Sequence, residues 1–229
     1  MIEINPDSAD AYNNRGAVYY DKNNFDRAIE DYTKAIEINP DSADAYNNRG
    51  VAYGKKRDFD RAIEDFNIAI NLIPDSANAY YNRGAAYYDK GDFDRAIEDS
   101  NTAIELKPDY ANAYNNRGNA YSNKGDFDRA IKECTKAIEL KPDSADAYNS
   151  RGIAYGQKSD FDRAIVDFTK AIELNPSDAR AYNNRGVVYL NKRDFDRAIE
   201  DFNKAIELKP DYAEAYNNRS IAYRKRGQS

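Results

Sequence analysis

Apolar residues in this chain recur at spacings of three and four, which is the spacing of one helix face and not of a strand. The first such face in residues 43–76 carries Ala45, Tyr46, Ala52 and Tyr53. The second face carries Phe59, Ala62, Ile63, Phe66, Ala69, Ile70 and Leu72. Polar Lys56 and Arg57 separate the two faces, and Asp58 is placed to cap the second helix. The pattern predicts two helices joined by a short turn.

This pattern returns every 34 residues along the whole chain, without insertion or deletion. All seven prolines mark the period, at Pro6, Pro40, Pro74, Pro108, Pro142, Pro176 and Pro210. A fixed period of this length is typical of stacked repeats, none of which can bury its apolar face alone. We predict a single all-α solenoid domain with complete repeats at residues 9–42, 43–76, 77–110, 111–144, 145–178 and 179–212.

The two ends of the sequence do not form complete repeats. Residues 1–8 match the end of a second helix, and residues 213–229 match a first helix with no second helix after it. We interpret the chain as a piece of a longer array. Because a cut solenoid exposes stacking surface, end-to-end self-association is left open.

The repeat resembles the tetratricopeptide repeat (TPR). The residues that carry the resemblance in the second repeat are Tyr46, Gly50, Tyr53, Ala62, Phe66, Ala69 and Pro74. It covers essentially the whole chain. The resemblance implies a right-handed superhelix in which the first helices line a concave groove that binds protein partners.

Two departures from the family pattern affect packing. Ser100 and Cys134 replace the large ring found at Phe66, so we expect looser packing in the third and fourth repeats. The family usually has Leu where every repeat here has Arg, at Arg15, Arg49, Arg83, Arg117, Arg151, Arg185 and Arg219. Because an acidic residue lies opposite in each complete repeat, we predict an Arg–carboxylate pair between its two helices.

The face of the first helix opposite the packing side is polar, and we expect it to line the groove. Asn48 lies on it, with equivalents at Asn14, Asn82, Asn116, Asn184 and Asn218; Ser150 breaks the series. A carboxamide can bond both the N–H and the C=O of an extended peptide. The position is similar to the asparagine ladder in the repeats of O-linked N-acetylglucosamine transferase. The alternative is that these side chains bond neighbouring helices.

Other residues on this face bear on ligand choice. The family's dicarboxylate clamp needs lysines at the positions of Asn47 and Asp44, and no repeat carries that pair. Asp10 and Asp44 instead favour a ligand with basic or hydroxyl side chains, although acidic residues are also ordinary in a first helical turn. Where the repeats differ, Tyr20, Tyr81 and Tyr88 could form an exposed aromatic patch that anchors the ligand.

Composition excludes several functional classes. With 34 basic and 40 acidic residues the net charge is −6, unlike that of a nucleic-acid binder. No apolar run is long enough to span a membrane. The chain has no histidine and one cysteine, so we expect no catalytic site, metal site or cofactor, and a reducing, cytoplasmic location.

These observations favour a non-catalytic scaffold that binds an extended peptide or a disordered partner segment. Two alternatives remain. The chain could be the targeting domain of a larger enzyme or multidomain protein, or a self-stacking architectural or engineered array.

Overall fold

The computed structural model describes residues 7–228, and within them the chain forms thirteen α-helices and no strand. The all-α fold with two helices per repeat is confirmed. The first helices of the repeats are α1 (Ala9–Asp21), α3 (Ala43–Lys55), α5 (Ala77–Lys90), α7 (Ala111–Asn123), α9 (Ala145–Gln157), α11 (Ala179–Asn191) and α13 (Ala213–Arg226). The second helices are α2 (Phe25–Ile38), α4 (Phe59–Leu72), α6 (Phe93–Leu106), α8 (Phe127–Leu140), α10 (Phe161–Leu174) and α12 (Phe195–Leu208).

Contacts between helices divide the chain into two compact units, Met1–Asn116 and Arg117–Ser229, with the division inside α7. In the first unit α1 packs on α2, α3 on α4 and α5 on α6; in the second, α9 packs on α10 and α11 on α12. Consecutive first helices also touch within a unit, as α3 and α5 do. The single domain stays a prediction. The helix end predicted at 1–8 falls mainly on residues 1–6, outside the described residues.

Each second helix begins at a side-chain cap, as predicted. Asp58 accepts a hydrogen bond from the backbone N–H of Arg61 at 3.3 Å, and its other carboxylate oxygen accepts one from the Arg61 side chain at 2.6 Å. Asn24 caps α2 in the same way through the N–H of Arg27. The residue before each cap reverses the chain with a positive φ, which is 61° at Arg57 and 87° at Gly91. These turns bring the two helices of a repeat together.

The core between the two helices is built from alanines and, in four of the six complete repeats, one large ring. Phe66 is 2% exposed, and a Cβ added to Gly50 would lie 2.7 Å from its ring. Glycine at this position therefore lets the ring fill the space between the helices. In the third repeat Ser100 is also buried, and its hydroxyl donates to the carbonyl of Ala96 at 2.7 Å. Looser packing around this residue stays a prediction.

The predicted Arg–carboxylate pair is confirmed. Nε and Nη2 of Arg49 donate to the two oxygens of Asp65, both at 2.8 Å. The Asp65 side chain is only 4% exposed. A third donor, Nη1, bonds Thr33 of the preceding repeat at 3.1 Å, so one guanidinium ties three helices. The equivalent pairs are Arg15–Asp31, Arg83–Asp99, Arg117–Glu133, Arg151–Asp167 and Arg185–Asp201.

Electrostatics show what this pair contributes. Burial raises the pKa of Asp65 although the hydrogen bonds from Arg49 act to lower it. Those same bonds raise the pKa of Arg49. At the Asp65 carboxylate desolvation outweighs the attraction, whereas at the Arg49 guanidinium the hydrogen bonds outweigh desolvation. The pair satisfies two charges that the packing buries and fixes their geometry, rather than adding much net stability.

We predict that Asp65→Ala lowers the free energy of unfolding by about 3 kcal/mol, because Arg49 is left buried without its partner. Replacing both residues with leucine should recover most of this loss, since no buried charge remains. Chemical denaturation measures both values. The control is Asp60→Asn, which breaks the exposed Lys90–Asp60 bridge and should cost at most about 1 kcal/mol. Equal losses at Asp65 and Asp60 would contradict this assignment.

The aspartate caps should make stability fall in acid. Hydrogen bonds from the arginine side chain three residues on lower the pKa of Asp58, Asp92, Asp160 and Asp194. At Asp126 the backbone N–H of Arg129 contributes most to the same lowering of the pKa. Because the folded pKa lies below the unfolded value, the stabilisation is present above about pH 4 and is lost as pH falls through the folded pKa.

Replacing all five cap aspartates with asparagine should give a shallower fall of Tm between about pH 4 and pH 2. Asparagine is the right substitute because Asn24 already caps α2 without titrating. Circular dichroism melts of both proteins test this. A variant whose Tm follows the same curve as the parent would show that other carboxylates control acid unfolding.

Two glycines of α3 should respond oppositely to alanine. Gly50→Ala places a Cβ 2.7 Å from the Phe66 ring, so we expect a loss of about 1–3 kcal/mol from overpacking. A Cβ at Gly54 meets nothing within 4 Å. Gly54→Ala should therefore gain about 0.5 kcal/mol, since alanine loses less backbone entropy in a helix. Urea midpoints of the two variants check the difference, and a loss at Gly54 would mean that its neighbourhood is tighter than the structure shows.

Candidate functional site

The asparagines predicted to bind a peptide lie on the first helices, on the side of each helix that faces the preceding repeat. We call them the ladder asparagines. Asn14 is exposed, and the other five are half-buried: Asn48, Asn82, Asn116, Asn184 and Asn218. Their helix position follows from the spacing read in the sequence.

Four of the ladder asparagines are bonded to a neighbouring first helix. Nδ2 of each donates to Oδ1 of the asparagine 35 residues earlier, which belongs to the preceding repeat. The four bonds are Asn48 to Asn13 at 3.1 Å, Asn82 to Asn47 at 2.9 Å, Asn184 to Asn149 at 3.1 Å and Asn218 to Asn183 at 3.1 Å. The alternative left open by the sequence, a bond between neighbouring helices, therefore accounts for one hydrogen of each amide.

This bond fixes the orientation of the carboxamide. With Nδ2 turned toward the preceding repeat, Oδ1 of Asn48 and Oδ1 of Asn82 accept no hydrogen bond from any residue in the described range 7–228. Each amide also keeps a second N–H. A donor and an acceptor thus remain on each half-buried amide. The sequence did not predict this orientation, because it depends on how consecutive repeats are rotated.

The ladder is interrupted in α7. Tyr81 occupies the position that would supply the acceptor for Asn116, and Nδ2 of Asn116 is buried with no hydrogen-bond partner among residues 7–228. The Tyr81 ring instead packs on Tyr110, with ring centres 5.0 Å apart. Burial raises the pKa of Tyr110 to about 12, and its hydroxyl donates to Asn78 at 2.9 Å. This aromatic pair replaces one amide bond of the ladder.

The predicted aromatic patch is less exposed than expected. Tyr20, Tyr81 and Tyr88 are all half-buried. The Tyr20 ring lies 5.5 Å from that of Phe25, and the Tyr88 ring lies 5.6 Å from that of Phe93. Tyr20 and Tyr88 thus each pack on the phenylalanine that opens the second helix of their own repeat, whereas Tyr81 packs on Tyr110. Their hydrophobic faces are therefore partly used in packing.

The acidic residues on the polar face of the first helices are open to solvent. Asp10 and Asp44 are exposed, and within residues 7–228 neither forms an ion pair. Asp146, their equivalent in the fifth repeat, is paired with Arg180 at 3.2 Å. Among the described residues, no group of three or more His, Cys, Asp or Glu side chains could hold a metal ion.

Cys134 is a packing residue in this structure. It is 1% exposed, and burial raises the pKa of its thiol to about 12. A thiol with so high a pKa is protonated at neutral pH and is a poor nucleophile. None of the helices within residues 7–228 is long and apolar enough to cross a membrane.

Gly54 and Gly156 occupy a position at which the repeats differ, and variation of this kind predicts a place that encodes partner specificity. The sequence did not predict that both glycines line cavities, which lie beside the ladder asparagines Asn82 and Asn184. The signal was present in the sequence. The same position carries tyrosine in two repeats, serine in one and leucine in another, so its variation marks a place where the repeats differ.

Comparison with solved structures shows the same fold in other proteins. YrrB, described as a TPR protein with an unusual peptide-binding site, is 26% identical, with a TM-score of 0.58 over 82% of this chain and 97% of its own. MamA is 32% identical, with a TM-score of 0.61 over 75% of this chain and 94% of its own.

A larger relative matches in fold alone. The APC/C hetero-tetramer Cut9–Hcn1 contains a chain that is 21% identical, with a TM-score of 0.88 over 95% of this chain. The present chain spans 43% of that protein's length. No curated protein sequence gives a significant match.

Family profiles match along the sequence. One tetratricopeptide repeat profile matches residues 43–76, 111–144, 145–178 and 179–212. A second matches residues 1–30 and 202–229, and a TPR repeat profile matches residues 18–56 and 84–125. Together with the helix pairs and the ring-and-glycine packing described above, these matches show that the chain belongs to the tetratricopeptide repeat family, whose repeats are protein–protein interaction scaffolds.

Proposed function

We propose that this chain is a non-catalytic scaffold that binds an extended peptide, or a disordered segment of a partner protein, along the ladder asparagines of its first helices. The observation that carries the proposal is the fixed orientation of the amides. Each bonded ladder asparagine keeps one acceptor and one donor after its bond to the preceding repeat. An extended backbone offers the complementary donors and acceptors.

Preorganisation supports this use of the amides. A free asparagine side chain loses rotamer freedom when it binds, and that loss subtracts from the affinity. Here the bond of Asn82 to Asn47 already holds the amide in place. The same bond therefore stabilises the stack and lowers the entropic cost of binding a peptide.

The negative charge on the polar face of the first helices favours a ligand with basic or hydroxyl side chains. Asp10 and Asp44 project from the first turn of α1 and α3 and are exposed. The net charge of −6 acts in the same direction at longer range. The similarity to YrrB, described as a TPR protein with an unusual peptide-binding site, is consistent with a peptide ligand here.

A phage-displayed library of random 12-residue peptides tests the proposal. Selected peptides are synthesised, and their affinity is measured by fluorescence anisotropy. Asn48→Ala and Asn82→Ala should each weaken binding by about 2- to 10-fold, which corresponds to roughly 0.5–1.5 kcal/mol per hydrogen bond.

The matched control is Asn71→Ala, at an exposed asparagine on the second helix α4, which should leave affinity unchanged. Melting curves show that each variant is folded. Selection of no peptide by the wild-type protein, or equal affinities for Asn82→Ala and Asn71→Ala, would reject binding through the ladder.

A further inference from the structure

Gly54 and Gly156 lie within helices, and at neither position does packing or backbone conformation require a glycine. Gly50 and its equivalents avoid a ring or side chain at their position, and Gly91 and Gly125 have a positive φ. Neither reason applies to Gly54 or Gly156. An added Cβ would meet nothing within 4 Å at Gly54, and only ordinary contacts of 3.7 Å and 4.0 Å at Gly156. Since glycine weakens a helix, these two positions need another explanation.

Gly54 opens a cavity in the first compact unit. The cavity has a volume of about 150 Å³ and lies between α3, α4 and α5. Its apolar walls include Val51, Phe59, Phe66 and Ala86. Its polar lining consists of the ladder asparagine Asn82, Lys55 and Asp89.

Gly156 opens the corresponding cavity in the second compact unit. This cavity has a volume of about 250 Å³, and its apolar walls include Ile153, Phe168 and Val187. Its polar lining includes the ladder asparagine Asn184, as Asn82 lines the first cavity. Asn191 stands at the position equivalent to Asp89, and Glu214 of α13 accepts a hydrogen bond from Nδ2 of Asn183 at 3.2 Å. Both cavities are smaller than the 300–1,000 Å³ typical of sites for drug-sized molecules, so they suit a single side chain.

Other repeats show what fits at this position. Tyr20 packs on Phe25 with ring centres 5.5 Å apart, and Tyr88 packs on Phe93 at 5.6 Å. Leu190 is 8% exposed and belongs to the cluster that contacts Phe195. In these repeats the chain's own large side chain covers the phenylalanine that opens the second helix. In the second repeat that phenylalanine, Phe59, lines an open cavity instead.

We propose that the cavities at Gly54 and Gly156 are specificity pockets, each of which receives one large apolar side chain of the bound peptide. The incoming side chain takes the place that Tyr88 or Leu190 fills in other repeats. Asn82 or Asn184 then lies beside the peptide backbone. The inference rests on the proposed function and adds the residues that select the ligand.

Acetylated pentapeptides Lys-Ala-X-Ala-Lys, amidated at the carboxyl end, are the probes, with X as Leu, Phe or Ser. Amide ¹H–¹⁵N spectra of the whole chain report on each cavity separately, through Gly54 and Ala86 in one and Gly156 and Val187 in the other. The Leu and Phe probes should shift these resonances. The Ser probe should bind about tenfold more weakly, because it buries little apolar surface.

Filling each cavity with the chain's own side chain tests the assignment directly. Gly54→Tyr copies Tyr88 and should abolish the response at Ala86 while leaving that at Val187. Gly156→Leu copies Leu190 and should do the reverse, so each variant is the other's folding control. Gly54→Ala leaves most of the cavity open and should still bind.

Equal binding of the Leu and Ser probes would overturn the pockets, as would an unchanged response at Ala86 in Gly54→Tyr. If the peptide library still selects ligands for the wild-type protein in that case, the proposed function stands and only the pockets fail. If the library selects nothing, both are rejected.

Discussion

The structure depends on a charged pair held inside its packing layer. In each complete repeat an arginine of the first helix donates to a carboxylate of the second, and the carboxylate is nearly removed from solvent, as at Asp65. Because a buried carboxylate without a partner is costly, the two helices can approach only in the register that brings these groups together. The third donor of Arg49 extends the same constraint to the preceding repeat. The stack is thereby aligned by geometry as well as by apolar burial.

This alignment also determines the orientation of the ladder asparagines. Once the arginine points toward the second helix, the asparagine before it in the sequence points along the other side, toward the preceding first helix. There its Nδ2 donates a hydrogen bond to Oδ1 of the asparagine 35 residues earlier, as Asn48 does to Asn13. The core and the ladder are therefore linked, since the rotation of the first helix that satisfies Arg49 also sets the orientation of the Asn48 amide.

Most of the fold could be predicted from the sequence because its signals are local and repeated. The proline period, the cap at Asp58 and the glycine opposite Phe66 each fix one step of a 34-residue pattern. The pair of Arg49 and Asp65 was also predictable, since a short turn brings facing positions of two helices together. For Asn48 the sequence allows two interpretations, peptide binding and a bond to a neighbouring helix. It does not predict the bond to Asn13, because that bond depends on the rotation between repeats. The half-burial of Tyr20 and Tyr88 and the cavities were not predicted, since they depend on side chains of three helices at once.

Positions that are constant among the repeats and positions that vary have different physical roles. Positions that hold the stack together, such as Arg49, Tyr53 and Ala62, carry the same residue type in every complete repeat. The position of Gly54 does not, and it is a place where a change of side chain leaves the caps, the charged pair and the ladder bonds in place. A repeat with tyrosine or leucine there fills its own cavity, whereas a repeat with glycine leaves the cavity open, and we propose that a ligand side chain fills it. Specificity can therefore change at this position without cost to the fold, because the bonds that maintain the stack lie elsewhere on the same helix.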